Sequence, residues 1–349
     1  MKKIISLSLC FVLALMMLVS CSSQKIGDGE KYPESSQIVE RLQLNMYIIT
    51  GDSSSENATN SVATRISGHT KVTYNTELNI TYVKESNYES TLLSAIESGQ
   101  NVPHIVLINS ENLFNSLMEK NKLADLSNYY KSRDFGRLNT QIAPALLESS
   151  KIDGKLFTVP NNRVIGEYSY LVINKEVAMQ TLKYTNAELS SYTSLDDAAE
   201  LIAEMNSNGY DADRYVQVVN GPYELREELS KENFCNIISV PMITKADAFS
   251  STFAVINSSE SKYNDRAMQI IYAINNDSEL RNFLQYGVLG ANYEVVGGNI
   301  VRVKDGENTY DMNLNYTGDV FKADNCEEIG WTDASKGYGK LQNNDSIAG

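Results

Sequence analysis

The sequence predicts an α/β fold with a largely parallel sheet, finished near its C-terminal end by a small antiparallel meander. Three observations carry this. Short apolar runs that suit strands alternate with stretches of helical periodicity between Leu42 and Met118, and the same alternation resumes at Asp153. Beyond Tyr293 the pattern changes to short runs separated by Gly297–Gly298 and Asp305–Gly306, which is the turn chemistry of antiparallel pairs. A chain of 349 residues with 42% hydrophobic content buries a substantial core, and two domains is the expectation for that length.

The N-terminus reads as a secretory signal. Lys2 and Lys3 precede an apolar run from Ile4 to Val19, and the chain turns polar at Ser22. That run is too short for a comfortable membrane span and ends in a small residue, so residues 1–20 are expected to be cleaved. Leu18, Val19, Ser20 and Cys21 resemble the lipobox of bacterial lipoproteins, which implies that Cys21 is acylated and becomes the new N-terminus. Two acyl chains there would hold the protein stably at a bilayer. Residues 21–37 follow as a polar, aperiodic tether rich in Gly and Ser.

In the first block, LQLNMYII at 42–49 alternates as a strand does, GDSSSENATN reads as a loop, and a mixed segment reaches Glu77 before a second strand, LNITYV, at 78–83. Tyr88, Leu92, Ala95 and Ile96 then keep helical spacing up to the stop at Gly99. HIVLI at 104–108 suits a strand buried on both faces. Ser110 caps a helix whose buried stripe is Leu113, Phe114, Leu117 and Met118.

The second block opens with DGKLFTVP at 153–160, a turn and a short strand closed by Pro160, and continues with the strand SYLVIN at 169–174. Ser194 caps a helix with Leu195, Ala198, Ile202 and Met205 on one face, Asp197 in the capping-box position and Gly209 at its end. FAVI at 253–256 reads as a return strand. Ala267, Ile270, Ile271 and Ile274 mark the helix after it.

Little in the chain points to catalysis. His69 falls in a polar loop and His104 heads a buried strand, and there is no HExxH, CxxC, GxSxG or phosphate-cradling glycine loop. Asp196 and Asp197 are explained by capping and the helix dipole. The run DADR at 211–214 lacks the rest of a calcium loop, so no metal or other cofactor is expected. The formal charge of −14, which becomes −16 without Lys2 and Lys3, argues against nucleic acid as a partner. Cys235 and Cys326 are left either to pair outside the cell or to stay as two small core thiols. The 21 tyrosines, against one tryptophan and 9 phenylalanines, supply flat apolar faces with a hydroxyl, which suit polyhydroxylated ligands.

Three stretches together resemble the extracellular solute-binding proteins of ABC importers, in the branch associated with sugars and oligosaccharides. They are YESTLLSAIESGQNVPHIVLINSENLFNSLMEKNKLADLSNYY, then IDGKLFTVPNN with SYLVINKE, then STFAVINSSESKYNDRAMQIIYAINNDSELRNFLQYGVLGANYEV. In this chain His104 follows Pro103 where that family usually has Asp. The resemblance implies a two-lobed periplasmic-binding-protein-like fold of type II, with ligand held between the lobes and no chemistry performed on it. Lobe 1 is expected to comprise 38–152 and 241–288, and lobe 2 residues 153–240 and 289–349. Lobe 2 is expected to be reduced, because only about thirty residues separate Gly209 from Pro241 and relatives continue beyond the final LQNNDSIAG.

Ligands of α/β sheets sit beyond the carboxyl ends of strands, so the loops after each strand supply the candidate binding residues. These are Ser53 and Ser54, Asn109, the trio Asn161, Asn162 and Arg163, then Tyr168, with Trp331 near the end as a stacking face. The expected protein is a monomer on the outer face of a cell membrane, held by its lipid and handing a sugar or oligosaccharide to membrane permease subunits. Two alternatives stand beside it: a lipid-anchored surface glycan hydrolase, and an adhesive or structural lipoprotein without a transport role.

Overall fold

The computed structural model describes residues 40–163, 165–222, 225–239, 242–303, 306–322 and 347–348. Cys21, the signal segment, the tether, Cys326 and Trp331 lie outside the described residues.

Strand β1 (Leu42–Thr50) is an interior strand of the larger sheet. Its even positions Leu44, Met46 and Ile48 are fully buried, and Tyr47 and Ile49 on the opposite face are nearly so, as expected of a strand covered on both sides. β2 (Thr76–Lys84) pairs with it in parallel from Leu42↔Thr76 to Thr50↔Lys84, and β3 (Ile105–Ile108) pairs in parallel on the other side. β4 (Thr158–Pro160) closes the sheet, and the expected return strand, β8 (Thr252–Val255), inserts antiparallel between β3 and β4. The order is β2-β1-β3-β8-β4. The carboxyl ends of β1, β2, β3 and β4 therefore lie along one edge, together with the amino end of β8.

Helix α1 (Glu56–Thr73) occupies the stretch expected to be loop and mixed segment. Ser55 caps it by accepting from the Ala58 N–H, and Ala58, Val62 and Ile66 are buried at intervals of one turn. Burying Val62 and Ile66 contributes about 1.5–3 kcal/mol each, enough to offset the weak helix propensity of the many Ser, Thr and Asn around them. Helices α2 (Glu85–Ser98) and α3 (Glu111–Glu119) stand where expected, with Gly99 at φ +68° ending α2 and Ser110 capping α3. Tyr88 of α2 is completely buried, and its hydroxyl lies 2.7 Å from the Leu107 carbonyl and 3.0 Å from the Tyr47 carbonyl while accepting from the Leu107 N–H.

The second sheet has three antiparallel strands in the order β6-β5-β7, built from β5 (Tyr168–Asn174), β6 (Val216–Gly221) and β7 (Asn233–Ile237). One face of β5, with Leu171 and Ile173, packs on Ala198, Leu201 and Met205 of α4 (Leu195–Ser207). The other face, with Tyr168, Tyr170 and Val172, forms a smaller core with Cys235, a buried free thiol whose pKa burial pushes up. The Ser194 and Asp197 capping box is present as expected.

Two stretches bear on the expected partition of the chain. Residues 158–160 were expected in lobe 2, but β4 is hydrogen-bonded into the larger sheet. Residues 289–322 were also expected there. Instead the hairpin β9 (Tyr293–Val296) and β10 (Asn299–Arg302) packs through Tyr293 and Ile300 on Tyr286, at the end of helix α6 (Ser278–Tyr286), which follows α5 (Ser261–Asn276) on the first sheet's side. The meander has this one hairpin among the described residues, and the chain beyond it forms single turns at Gly306–Asn308 and Leu314–Tyr316.

Candidate functional site

The carboxyl edge of the larger sheet gathers four stretches of chain: Gly51–Ser55 after β1, the direct β2–α2 junction at Lys84 and Glu85, Asn109 and Ser110 after β3, and Asn161–Arg163 after β4. A single segment, residues 307–320, lies against all but the third. The Gly51 N–H donates to the Asp311 carbonyl at 2.8 Å, and the Ser55 N–H to the Thr309 carbonyl at 2.9 Å. Gly51 has no space for a side chain, since a Cβ there would fall 2.2 Å from Asp311 Oδ2. Tyr310 meets Tyr82 edge-on with their hydroxyls 3.1 Å apart, and Tyr316 donates to Glu85 Oε1 at 2.9 Å.

The expected binding residues divide into two groups. At the rim, exposed Ser53 donates to Asp311 Oδ2 at 2.6 Å, and Ser54 donates to the Asp311 carbonyl while accepting from the Asp311 N–H. Asn109 is partly exposed, with its amide 3.5 Å from Glu85 Oε1. These three stand in reach of solvent. Asn161, Asn162, Arg163 and Tyr168 do not, and their polar groups are turned into the protein.

Asn161 donates to the Asn315 carbonyl at 3.1 Å and to Ser251 Oγ at 2.9 Å, and Ser251 in turn donates to the Asn315 carbonyl. Its Oδ1 is buried without a partner among the described residues. Asn162 binds the Gln141 carbonyl through its amide, accepts from the Ala143 N–H, and offers its backbone carbonyl to the Val320 N–H. Arg163 spends its guanidinium on the Asn161, Ser251 and Asp247 carbonyls and on Ser250 Oγ, and burial holds its pKa down to about 10. Tyr168 points its hydroxyl at the Ile165 carbonyl, 3.3 Å away. Binding was expected of these four; in the structure Asn161 and Asn162 fasten the 307–320 segment, Arg163 ties the chain after β4 to residues 247–251, and Tyr168 bonds back to Ile165.

Glu85, Asp311 and Tyr316 were missed. Glu85 was accessible to the rule that singled out Ser53 and Asn109, because it follows a predicted strand directly. Asp311 and Tyr316 lie 225 or more residues along the chain from it in aperiodic sequence, with no local signal of where they dock. Burial pushes the Tyr316 phenol up to about 12, with the Glu85 carboxylate adding to the shift, so it stays a donor at neutral pH. Among the described residues no group of three His, Cys, Asp or Glu side chains is placed to hold a metal ion. A shallow groove of about 460 Å³ beside α2, touched by Tyr47, Ser94, Ser98 and Asn101, runs toward the C-terminal end of that helix and away from this rim.

No protein-family model matches the sequence, and no curated protein matches it. Solved structures do. The chain superposes on the N-glycan transport solute binding protein NgtS from Streptococcus pneumoniae with a TM-score of 0.56 at 16% identity, covering 88% of this chain and 83% of that one. The same protein in complex with Man1GlcNAc gives 0.55 at 16% identity, covering 88% and 84%, and in complex with Man5GlcNAc 0.54 at 17%, covering 88% and 83%. The chain shares the fold of these structures. In this two-lobed periplasmic-binding-protein-like fold the sheet edge built from Ser53, Glu85, Asn109 and Tyr316 is the end at which α/β sheets take ligands.

Proposed function

We propose that this protein captures a small polyhydroxylated solute, a sugar or oligosaccharide, at the carboxyl edge of its larger sheet and delivers it to an ABC-type importer. The observation that carries the reading is the Glu85, Asn109 and Tyr316 cluster at that edge, in a chain whose fold matches a glycan-transport binding protein. Carboxylate and amide oxygens accept from sugar hydroxyls, and the partly exposed Tyr316 ring offers a flat face to CH groups. The body on the five-stranded sheet forms one lobe and the body on the three-stranded sheet the other, and contacts that a ligand makes only when both touch it favour closure. Capture of this kind requires no bond to be made or broken.

Residues 1–20 act as the signal, Cys21 carries the lipid, and 21–37 let the receptor reach its permease from the outer face of the membrane. No helix among the described residues is long and apolar enough to cross a membrane. The deciding experiment is a thermal-shift screen of the protein against mono- and oligosaccharides, with Man1GlcNAc and Man5GlcNAc included. A ligand that binds the folded state alone raises the melting temperature, and at 100 times its Kd it adds about 2.7 kcal/mol. A panel in which no saccharide moves the transition removes the reading. Replacement of Cys21 by Ala is expected to shift the protein from the membrane to the soluble fraction.

A further inference from the structure

The three helices that begin at the binding edge each carry a carboxylate in their first turn: Glu56 in α1, Glu85 in α2 and Glu111 in α3. Helix N-termini at the carboxyl edge of a sheet ordinarily make it attractive to anions, because unpaired N–H groups and the positive ends of the helix dipoles face the ligand. Here Ser55 and Ser110 take up N–H groups of α1 and α3, and the acidic side chains set negative charge against all three dipoles. Asp52 and Asp311 add to the same rim. Among the described residues two cations stand at this edge, outnumbered by the five carboxylates. Lys84 donates to the Asp52 carbonyl at 2.8 Å, and the Arg163 guanidinium is buried and bonded to three carbonyls and Ser250 Oγ.

We infer that the site is selective by charge: it takes neutral or amino-bearing saccharides and rejects those with carboxylate, sulfate or phosphate groups. This rests on the saccharide reading above and adds the class of saccharide. A ligand anion brought beside these five carboxylates meets like-charge repulsion that the one exposed ammonium at the edge among the described residues, Lys84, does not balance, whereas hydroxyls and ammonium groups donate to carboxylate oxygens.

The test uses short neutral oligosaccharides and their sialylated, uronic-acid and sulfated counterparts on a glycan array, followed by calorimetry of the best matched pairs at low and high salt. The expected result is that neutral members bind and each anionic counterpart binds at least about tenfold more weakly, with the gap narrowing as salt screens the rim. The double variant E56Q/E111Q is expected to narrow the gap. Anionic members that bind as tightly as their neutral counterparts overturn the selectivity and leave the saccharide reading standing. Absence of binding by any member of either kind removes both.

Discussion

Tyr316 donates its phenolic hydroxyl to Glu85 Oε1 at 2.9 Å across 231 residues of chain, joining the segment that crosses the binding edge to the first residue of α2. Glu85 also has the Asn109 amide near the same oxygen, so the carboxylate is oriented from two elements before any ligand arrives. Replacing Glu85 by Gln removes the charge and keeps the shape. Saccharide affinity is expected to fall on the order of tenfold, equivalent to about 1.4 kcal/mol, because a charge-assisted acceptor becomes a neutral one. The melting temperature of the unliganded variant is expected to stay where it was, since Glu85 is exposed. Calorimetry with the best saccharide checks the first expectation and differential scanning fluorimetry the second.

Gly51 and Asp311 test whether the crossing segment is a fixed part of the edge. A methyl group at position 51 would collide with Asp311 Oδ2 at 2.2 Å and with its backbone carbonyl at 2.9 Å, so relief requires the backbone of the segment to move. Gly51→Ala is expected to cost about 1–3 kcal/mol in chemical denaturation, the range of overpacked sites. Faster amide exchange at Thr309 and Asp311 would accompany it, because the bonds from Gly51, Ser54 and Ser55 hold that stretch. Unchanged stability together with unchanged exchange would show that the segment yields freely.

Arg163, read from the sequence as a binding residue, is buried and acts in the structure as a strut between the chain after β4 and residues 247–251. Its guanidinium supplies four hydrogen bonds at 2.7–3.1 Å, two of them buried and two part-buried. Arg163→Met removes all four bonds and leaves the Asn161 carbonyl without its donor, whereas the Ser251 carbonyl keeps the Asn161 N–H and the Asp247 carbonyl keeps Ser250, so a loss of about 1–3 kcal/mol is expected. Arg163→Lys keeps a charge but not the planar fork, and should fall between the two. Urea denaturation of the three proteins ranks them. Equal midpoints would show that the strut contributes nothing.

Most of the fold was legible because hydrophobic spacing records it. Leu44, Met46 and Ile48, the Ile105–Ile108 run and the Ser194 capping box are local signals, and each element formed where its signal lay. Helix α1 escaped because its stripe is thin, an Ala, a Val and an Ile among polar residues, so its helicity depends on the sheet it packs against. The antiparallel second sheet escaped because strand direction leaves no mark in a buried apolar strand such as β5. At the candidate site the carboxyl-edge rule led to the loops along that edge, but it could not separate side chains that face solvent from those that face inward. Asn161 and Asn162 look like Asn109 in sequence, and only burial distinguishes them.

His69 and Asp277 give a pH dependence whose sign is fixed. His69 Nε2 lies 2.7 Å from Asp277 Oδ2, Tyr74 donates to that oxygen at 2.7 Å, and Asp277 Oδ1 caps α6 by accepting from the Glu279 and Leu280 N–H groups. The hydrogen bond to Asp277 raises the His69 pKa above 6.5, burial and Arg65 oppose it, and the charges of Asp277 and Glu279 add to it. Burial pushes Asp277 up, but the bonds from His69, Tyr74 and the Leu280 N–H outweigh it and leave the carboxyl below 3.8. A raised histidine contributes stability that is complete below its unfolded pKa and is lost as pH rises through the folded one. The depressed carboxylate contributes stability that is present above its unfolded pKa and is lost as pH falls through its lower folded value. Together they make the clamp between α1 and α6 strongest from about pH 4 to 6.5 and weaker in alkali. His69→Gln is therefore expected to lower the melting temperature most near pH 5.5, with the deficit shrinking toward pH 9 as the wild-type histidine loses its proton. Melting curves of both proteins across that range read the difference, and a deficit that stays constant with pH would mean that His69 packs as a neutral ring.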